Sequence, residues 1–213
     1  MERLMNDEII MFKRRQRYML LIKNGKVITM SGKTYDNGSV LIKDKKIIKV
    51  GDCIEINNNE DCQVIDASNC WVTPGIIEAH CHIGIIEEKK GFEGDDCNET
   101  YEPVTPYLRA IDGINVMDPA FHNALSAGIT GVMVGPGSSN VVGGQFIFIK
   151  THGRDIDNMV VLEPAAMKVA FGENIKTNYD QKNKIPSTRM SIAALLREEL
   201  FKAKQYNEKK KML

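Results

Sequence analysis

The sequence predicts an α/β fold preceded by a small β-module. Residues 19 to 73 carry strand signals with no helical period, and the pattern changes at Thr73-Pro74-Gly75. Beyond that point strand-like apolar runs are interleaved with helical ones. Strands mixed with helices, with loops after the strand ends, point to parallel strands in an α/β architecture.

Residues 1 to 18 read as a polar leader, with Met5, Met11 and Met19 as alternative starts. In the β-module, Leu20 to Met30 is apolar-rich with a turn signal at Asn24-Gly25, and Asp36-Asn37-Gly38 is a second turn signal. Val40-Leu41-Ile42 and Ile47-Ile48-Lys49-Val50 flank the charged turn Lys43-Asp44-Lys45-Lys46, the pattern of a hairpin. Val64-Ile65 and Trp71-Val72 are shorter strand candidates. After Pro74-Gly75, Ile76-Ile77 leads into Glu78-Ala79-His80-Cys81-His82, then a polar loop runs from Glu87 to about Pro106. Asp118-Pro119 starts a helix, with Asp as N-cap and Pro at the first helical position, and Gly128 ends it. Ile129 to Val134, Phe146 to Lys150, Met159 to Leu162 and Met167 to Phe171 are strand candidates. From Ser187 as N-cap a helix runs to about residue 210, with Ile192, Leu195, Leu196 and Leu200 as its apolar stripe.

The composition excludes several classes. Of 213 residues, 43% are hydrophobic and 26% charged, ordinary for a globular protein with a real core. Lys plus Arg equals Asp plus Glu at 28 each, so charge gives no reason to expect nucleic acid or an anionic membrane as partner. The basic cluster Lys13-Arg14-Arg15-Gln16-Arg17 reads as a solvated tail. The 5 cysteines are odd in number, irregular in spacing and free of any CxxC pair, which favours a reducing compartment. No signal segment or membrane span is legible, and a cytoplasmic protein is expected.

The chemistry concentrates at His80-Cys81-His82. Residues i and i+2 of a strand face the same side, so these two imidazoles can grip one metal ion. Cys81 then points the other way, into packing, as an inert thiol. The Gly-rich loop Gly135-Pro136-Gly137-Ser138-Ser139-Asn140 follows a strand. Its amides, at Gly137, Ser138 and Asn140, are candidates for binding a substrate carboxylate or phosphate. A tight turn needing positive φ is the equal alternative. The acidic loop Glu93 to Glu99 reads as a solvated loop, with a lid as the sharper alternative.

The stretch VTPGIIEAHCHIG resembles the strand-1 signature of the amidohydrolase superfamily, Pro-Gly, two apolar residues, an acid and then HxH. LLIKNGKVITM and SVLIKDKKIIKVG resemble the β-sandwich that precedes the barrel in these enzymes. GITGVMVGPGSSNVVGGQ and EPAAMKVAFGEN resemble the imidazolonepropionase-like branch. The resemblance covers about residues 19 to 205. It implies a (β/α)8 (TIM) barrel with a metal site at the C-terminal ends of its strands. The domain division it implies is a leader at 1–18, an incomplete β-sandwich module at 19–73, and the N-terminal part of the barrel at 74–213. The implied activity is hydrolysis of a C–N bond in a cyclic amide, amidine or small peptide-like substrate by metal-activated water. The cofactor is a divalent metal, zinc first, as one ion or two.

The family's further ligands are a carboxylated Lys or a Glu on a middle strand and two more His. An Asp on the last strand shuttles the proton, and here it is expected beyond residue 213. Lys168, in the apolar run Ala166 to Phe171, resembles the bridging lysine of dihydroorotase-type relatives. Glu173 and Glu163 compete with it, and a Lys168 that extends to solvent is the remaining reading. His122 and His152 lack the family's ligand context. The resemblance implies a full family member of roughly twice this length, so the chain reads as truncated. The rival function is a non-catalytic fragment or interrupted gene product, its motifs inherited and idle. Partners are a small-molecule substrate, with no nucleic acid and no membrane, and a homo-oligomer is compatible with the sequence.

Overall fold

The computed structural model describes residues 19–56 and 61–212. The expected leader and its basic cluster lie outside the described residues. The chain divides into two compact units, Met1–Pro74 and Gly75–Leu213.

The first unit is built from β1 (Met19–Ile28), β2 (Thr34–Lys43), β3 (Lys46–Gly51), β4 (Cys62–Asp66) and β5 (Trp71–Val72). They form one five-stranded sheet in the order β3-β2-β1-β4, with β5 also on β1. The β2–β3 turn places Asp44 and Lys45 at φ 51° and 67°, the two positive values of a tight hairpin turn. The other two turn signals are corrected. Asn24-Gly25 and Asp36-Asn37-Gly38 lie inside strands, where Gly25 faces Gly38 between two register shifts. Turn-type residues on both strands are absorbed as bulges because the flanking ladder holds the strands straight through them. All the strands described in this unit belong to that one sheet.

The second unit contains β6 (Ile76–Cys81), helix α1 (Pro119–Ser126), β7 (Ile129–Val134), β8 (Val142–Lys150), the short α2 (Ile156–Met159), β9 (Val160–Val169), α3 (Glu173–Asp180) and α4 (Arg189–Lys211). Asp118 caps α1, its carboxylate accepting from the Ala120 N–H at 2.7 Å. Gly128 follows the helix at φ 83°. β6 and β7 pair in parallel from Ile76↔Ile129 onward, with α1 between them in sequence. That is one βαβ step.

The expectation of parallel strands throughout fails after β7. β8 runs antiparallel to β7, and β9 antiparallel to β8. The reason is the length of the connections. A parallel return needs a crossover of about a dozen residues or more, and residues 135–141 hold no helix. The strand parts of Met159–Leu162 and Met167–Phe171, expected as two strands, belong to the single strand β9, which spans Val160–Val169. Pro164 interrupts its middle, where it pairs irregularly with β8. β9 is an edge, which is where a sheet tolerates a missing N–H. The last helix is capped by Thr188 instead of Ser187, in a reciprocal box with Ser191.

Alternation divides the β6–β9 sheet into two faces. Val132, Val134, Ile147 and Ile149 are buried with Ile85, Ala110, Phe121 and Met159, and Cys81 packs against them. A second cluster joins Val141 and Val142 to Ile175, Tyr179 and Ile192 under α3 and α4.

Candidate functional site

β6 ends on Glu78-Ala79-His80-Cys81, and His82 follows it directly. The pleat turns the two imidazoles to one side, with ring centroids 5.2 Å apart and planes at 83°. Cys81 turns the other way. Its thiol donates to the Met133 carbonyl at 3.5 Å, and burial pushes its pKa up.

His82 is held by one bond that fixes its chemistry. Nδ1 stands 2.7 Å from the Gly135 carbonyl oxygen, at the end of β7. A carbonyl only accepts, so Nδ1 carries the proton and the neutral ring keeps its lone pair on Nε2. This is the arrangement that orients a metal-ligating histidine. His80 is held differently. Its backbone N–H donates to the Glu78 carboxylate at 2.9 Å, and its ring lies 5.4 Å from the Phe146 ring at 45°. Desolvation pulls the His80 pKa down, helped by the charges of Lys168 and His82 and opposed by Glu78. The neutral form is the one that donates to a metal. With metal–nitrogen bonds of about 2.0–2.1 Å, two rings on one ion sit about 5 Å apart centre to centre. The spacing of this pair suits a shared ion.

The three candidates for the middle-strand ligand separate clearly. Lys168 is half-buried on β9, with its ammonium 6.0 Å from the Phe146 ring, the ring that also flanks His80. Glu163 is engaged elsewhere, since both Nε (3.0 Å) and Nη2 of Arg109 donate to its Oε1. Glu173 opens α3, its side chain 83% exposed and 3.5 Å from Lys176. His122 and His152 are exposed and take no part. Among the described residues no group of three or more His, Cys, Asp and Glu converges on a metal position.

The Gly-rich loop is tied down from inside. The Gly137 amide donates to the Cys97 carbonyl at 2.8 Å, and the Ser139 amide to Asn98 Oδ1 at 3.1 Å. Asn140 is 2% exposed, and its amide nitrogen donates to the Glu102 carbonyl at 2.7 Å and to Thr105 at 3.3 Å. The Gly137 backbone N–H and the side-chain amide of Asn140 therefore have partners within the protein. Gly135 and Gly137 are also outside the positive-φ residues, so a strained turn is not the reason for them. Part of the acidic loop, at Cys97 and Asn98, is the clamp on this glycine loop.

No protein-family model matches the chain. An amidohydrolase from Thermotoga maritima MSB8, known as a crystal structure, superposes with a TM-score of 0.84 at 40% identity, over 91% of this chain and 49% of its own. The amidohydrolase tasK of Hapsidospora irregularis is 32% identical over 79% of this chain and 18% of its own length. A dihydroorotase of Streptococcus pyogenes serotype M3 is 41% identical over 30% of this chain and 14% of its own length. The chain belongs to the amidohydrolase superfamily. This amidohydrolase chain spans about half the length of the Thermotoga structure, and less of the curated relatives.

Two residues beside the histidine pair escaped the sequence reading. Phe146 is 5% exposed and touches the site from β8. Gly135 supplies the carbonyl for His82. The available signal was the alternation in Val142–Lys150: Ile147 and Ile149 pack into the core, which leaves Phe146 and Phe148 for the opposite face. Without knowing that β8 returns antiparallel beside β7, that face had no address.

Proposed function

We propose that this chain carries the first two metal ligands, His80 and His82, of a metal-dependent amidohydrolase that hydrolyses a C–N bond. The substrate class is a cyclic amide, an amidine or a small peptide-like molecule. The observation that carries the reading is the His82 Nδ1 contact with the Gly135 carbonyl, beside a second imidazole at 5.2 Å. A divalent metal, zinc first and as one ion or two, would be held by His80 and His82 and would activate water for attack at neutral pH. Burial lowers the His80 pKa, and the Gly135 carbonyl at Nδ1 leaves Nε2 of His82 to face the metal.

Lys168 is the best placed candidate for a bridging ligand. As an ammonium it is one of the charges that lower the His80 pKa, and a cation beside a metal is unfavourable. Carboxylation of its free amine by carbon dioxide forms the N–C bond of a carbamate and releases one proton, which reverses the sign of the charge. Glu173 and Glu163 are the poorer alternatives, for the reasons of exposure and pairing given above. Ser138, half-buried on the glycine loop, remains the substrate-contact candidate there.

A second reading has its own support. A catalytic zinc normally takes three protein ligands plus water, and no cluster of three such groups occurs among the described residues. On this reading the chain alone is a non-catalytic fragment. Metal analysis decides whether a site exists. Purified wild-type protein, His80→Ala and His82→Ala are compared after exposure to Zn2+ and desalting. Retention by wild type and loss in both variants supports the pair; equal content in all three removes it. Activity of the wild-type chain toward cyclic amides then separates a working enzyme from a fragment.

A further inference from the structure

We infer that Phe146 is a positioning residue for His80, seated by Gly135, so that one glycine controls both histidines. The inference rests on the reading that the pair holds a metal. Three observations meet at this glycine. Its carbonyl oxygen accepts from His82 Nδ1 at 2.7 Å. A Cβ added to it would lie 2.3–2.4 Å from the atoms of the Phe146 ring, so the ring occupies the space that any other residue would fill. That ring, 5% exposed and fixed on β8, lies 5.4 Å from the His80 ring.

The physical consequence is a difference between the two ligands. His82 has a hydrogen bond to fix its ring, whereas the contact seen on the ring of His80, apart from its partner histidine, is aromatic. Without a wall on that side the His80 χ angles are free to rotate, and the two lone pairs no longer point at one place. Phe146 is that wall. The Lys168 ammonium lies 6.0 Å from the same ring, so the ring is the common neighbour of the first histidine and the candidate bridging lysine.

A built-in control lies two residues along β8. Phe148 rests on Gly131 as Phe146 rests on Gly135, with a Cβ there 2.9 Å from the Phe148 ring. The experiment compares Phe146→Leu and Phe148→Leu in the full chain. The imidazole C–H signals of His80, followed by NMR in metal-free protein, should shift and broaden in Phe146→Leu and stay in place in Phe148→Leu. Affinity for Co2+, read from its visible absorption, should fall about tenfold or more in Phe146→Leu alone, as for loss of a supporting contact at a metal ligand. Gly135→Ala, which keeps the ring but displaces it, should act like Phe146→Leu and serves if that variant folds poorly. Unchanged His80 signals in Phe146→Leu overturn the inference, as does an equal loss of Co2+ affinity in the two Leu variants. If wild type itself binds no Co2+, the metal reading fails instead, and the His80 signals still decide whether Phe146 seats the ring.

Discussion

His80 and His82 show how much one pleat can do: alternation alone sends both rings to one side and Cys81 to the other. What makes their surroundings different comes from β7 and β8, through Gly135 and Phe146. Another residue is set chiefly by burial. Tyr179 is fully buried, and among the described residues its hydroxyl has no hydrogen-bond partner. Burial, with the nearby charges of Glu99 and Glu102, pushes its pKa up to about 12. The folded state therefore keeps the phenol protonated where the unfolded chain begins to lose its proton. The stability contributed is fully present below the ordinary value of 10.0 and is lost as pH rises toward about 12. Tyr179→Phe should leave stability at neutral pH unchanged or raise it by about 1 kcal/mol, since an unpaired buried hydroxyl is costly. It should also remove part of the alkaline destabilisation. Urea titrations at pH 7 and pH 11 check both; a clear loss of stability at pH 7 would show that the hydroxyl has a partner worth keeping.

The start of α1 is an element under tension from two sides. Asp118 is 3% exposed, and its two carboxylate oxygens accept from different segments: Ala120 N–H at 2.7 Å and Glu88 N–H at 2.8 Å. One side chain thus caps the helix and anchors the loop that follows the histidines. Asp118→Ala should cost about 2 kcal/mol, a cap plus a second charge-assisted bond. Asp118→Asn retains one acceptor and should fall between the two. Thermal unfolding measures the series, and an Asp118→Ala protein as stable as wild type would mean that the loop finds another anchor. The start of β6 is equally specific. A Cβ on Gly75 would lie 2.1–2.7 Å from the Thr130 side chain, so the glycine of the Pro-Gly signature is where the first strand meets β7.

At the scale of the whole chain, both units leave apolar sheet surface in solvent. Ile47, Ile48, Val64, Ile65 and Trp71 are exposed on the first sheet. On the second, exposure falls at its two edge strands, at Ile76 and Ile77 of β6 and at Val161, Leu162, Met167 and Val169 of β9. Contiguous exposed apolar residues next to unpaired strand edges favour association. The purified chain should enhance the fluorescence of a hydrophobic dye and elute at larger apparent mass as its concentration rises. Elution at one size across a wide concentration range, without dye enhancement, would contradict this. Among the described residues no helix is long and apolar enough to cross a membrane.

What the sequence determined by itself was local. The strand content of residues 19–72, the capped start of α1 and the shared face of His80 and His82 all follow from periods of two or 3.6 residues and from capping chemistry. Tertiary structure decided what required a partner. Turn-type glycines became bulges because a neighbouring strand ran past them. β8 and β9 returned antiparallel because their connections are too short for crossovers. The Gly137 backbone N–H and the Asn140 side-chain amide found their partners in the segment from Cys97 to Thr105. Lys168 came near His80 only through the β8–β9 pairing that sets it opposite Gly144. The physical reason is the same in each case. A side chain's direction is set within its own strand, but its neighbours are set by which strand lies alongside, and no local period encodes that.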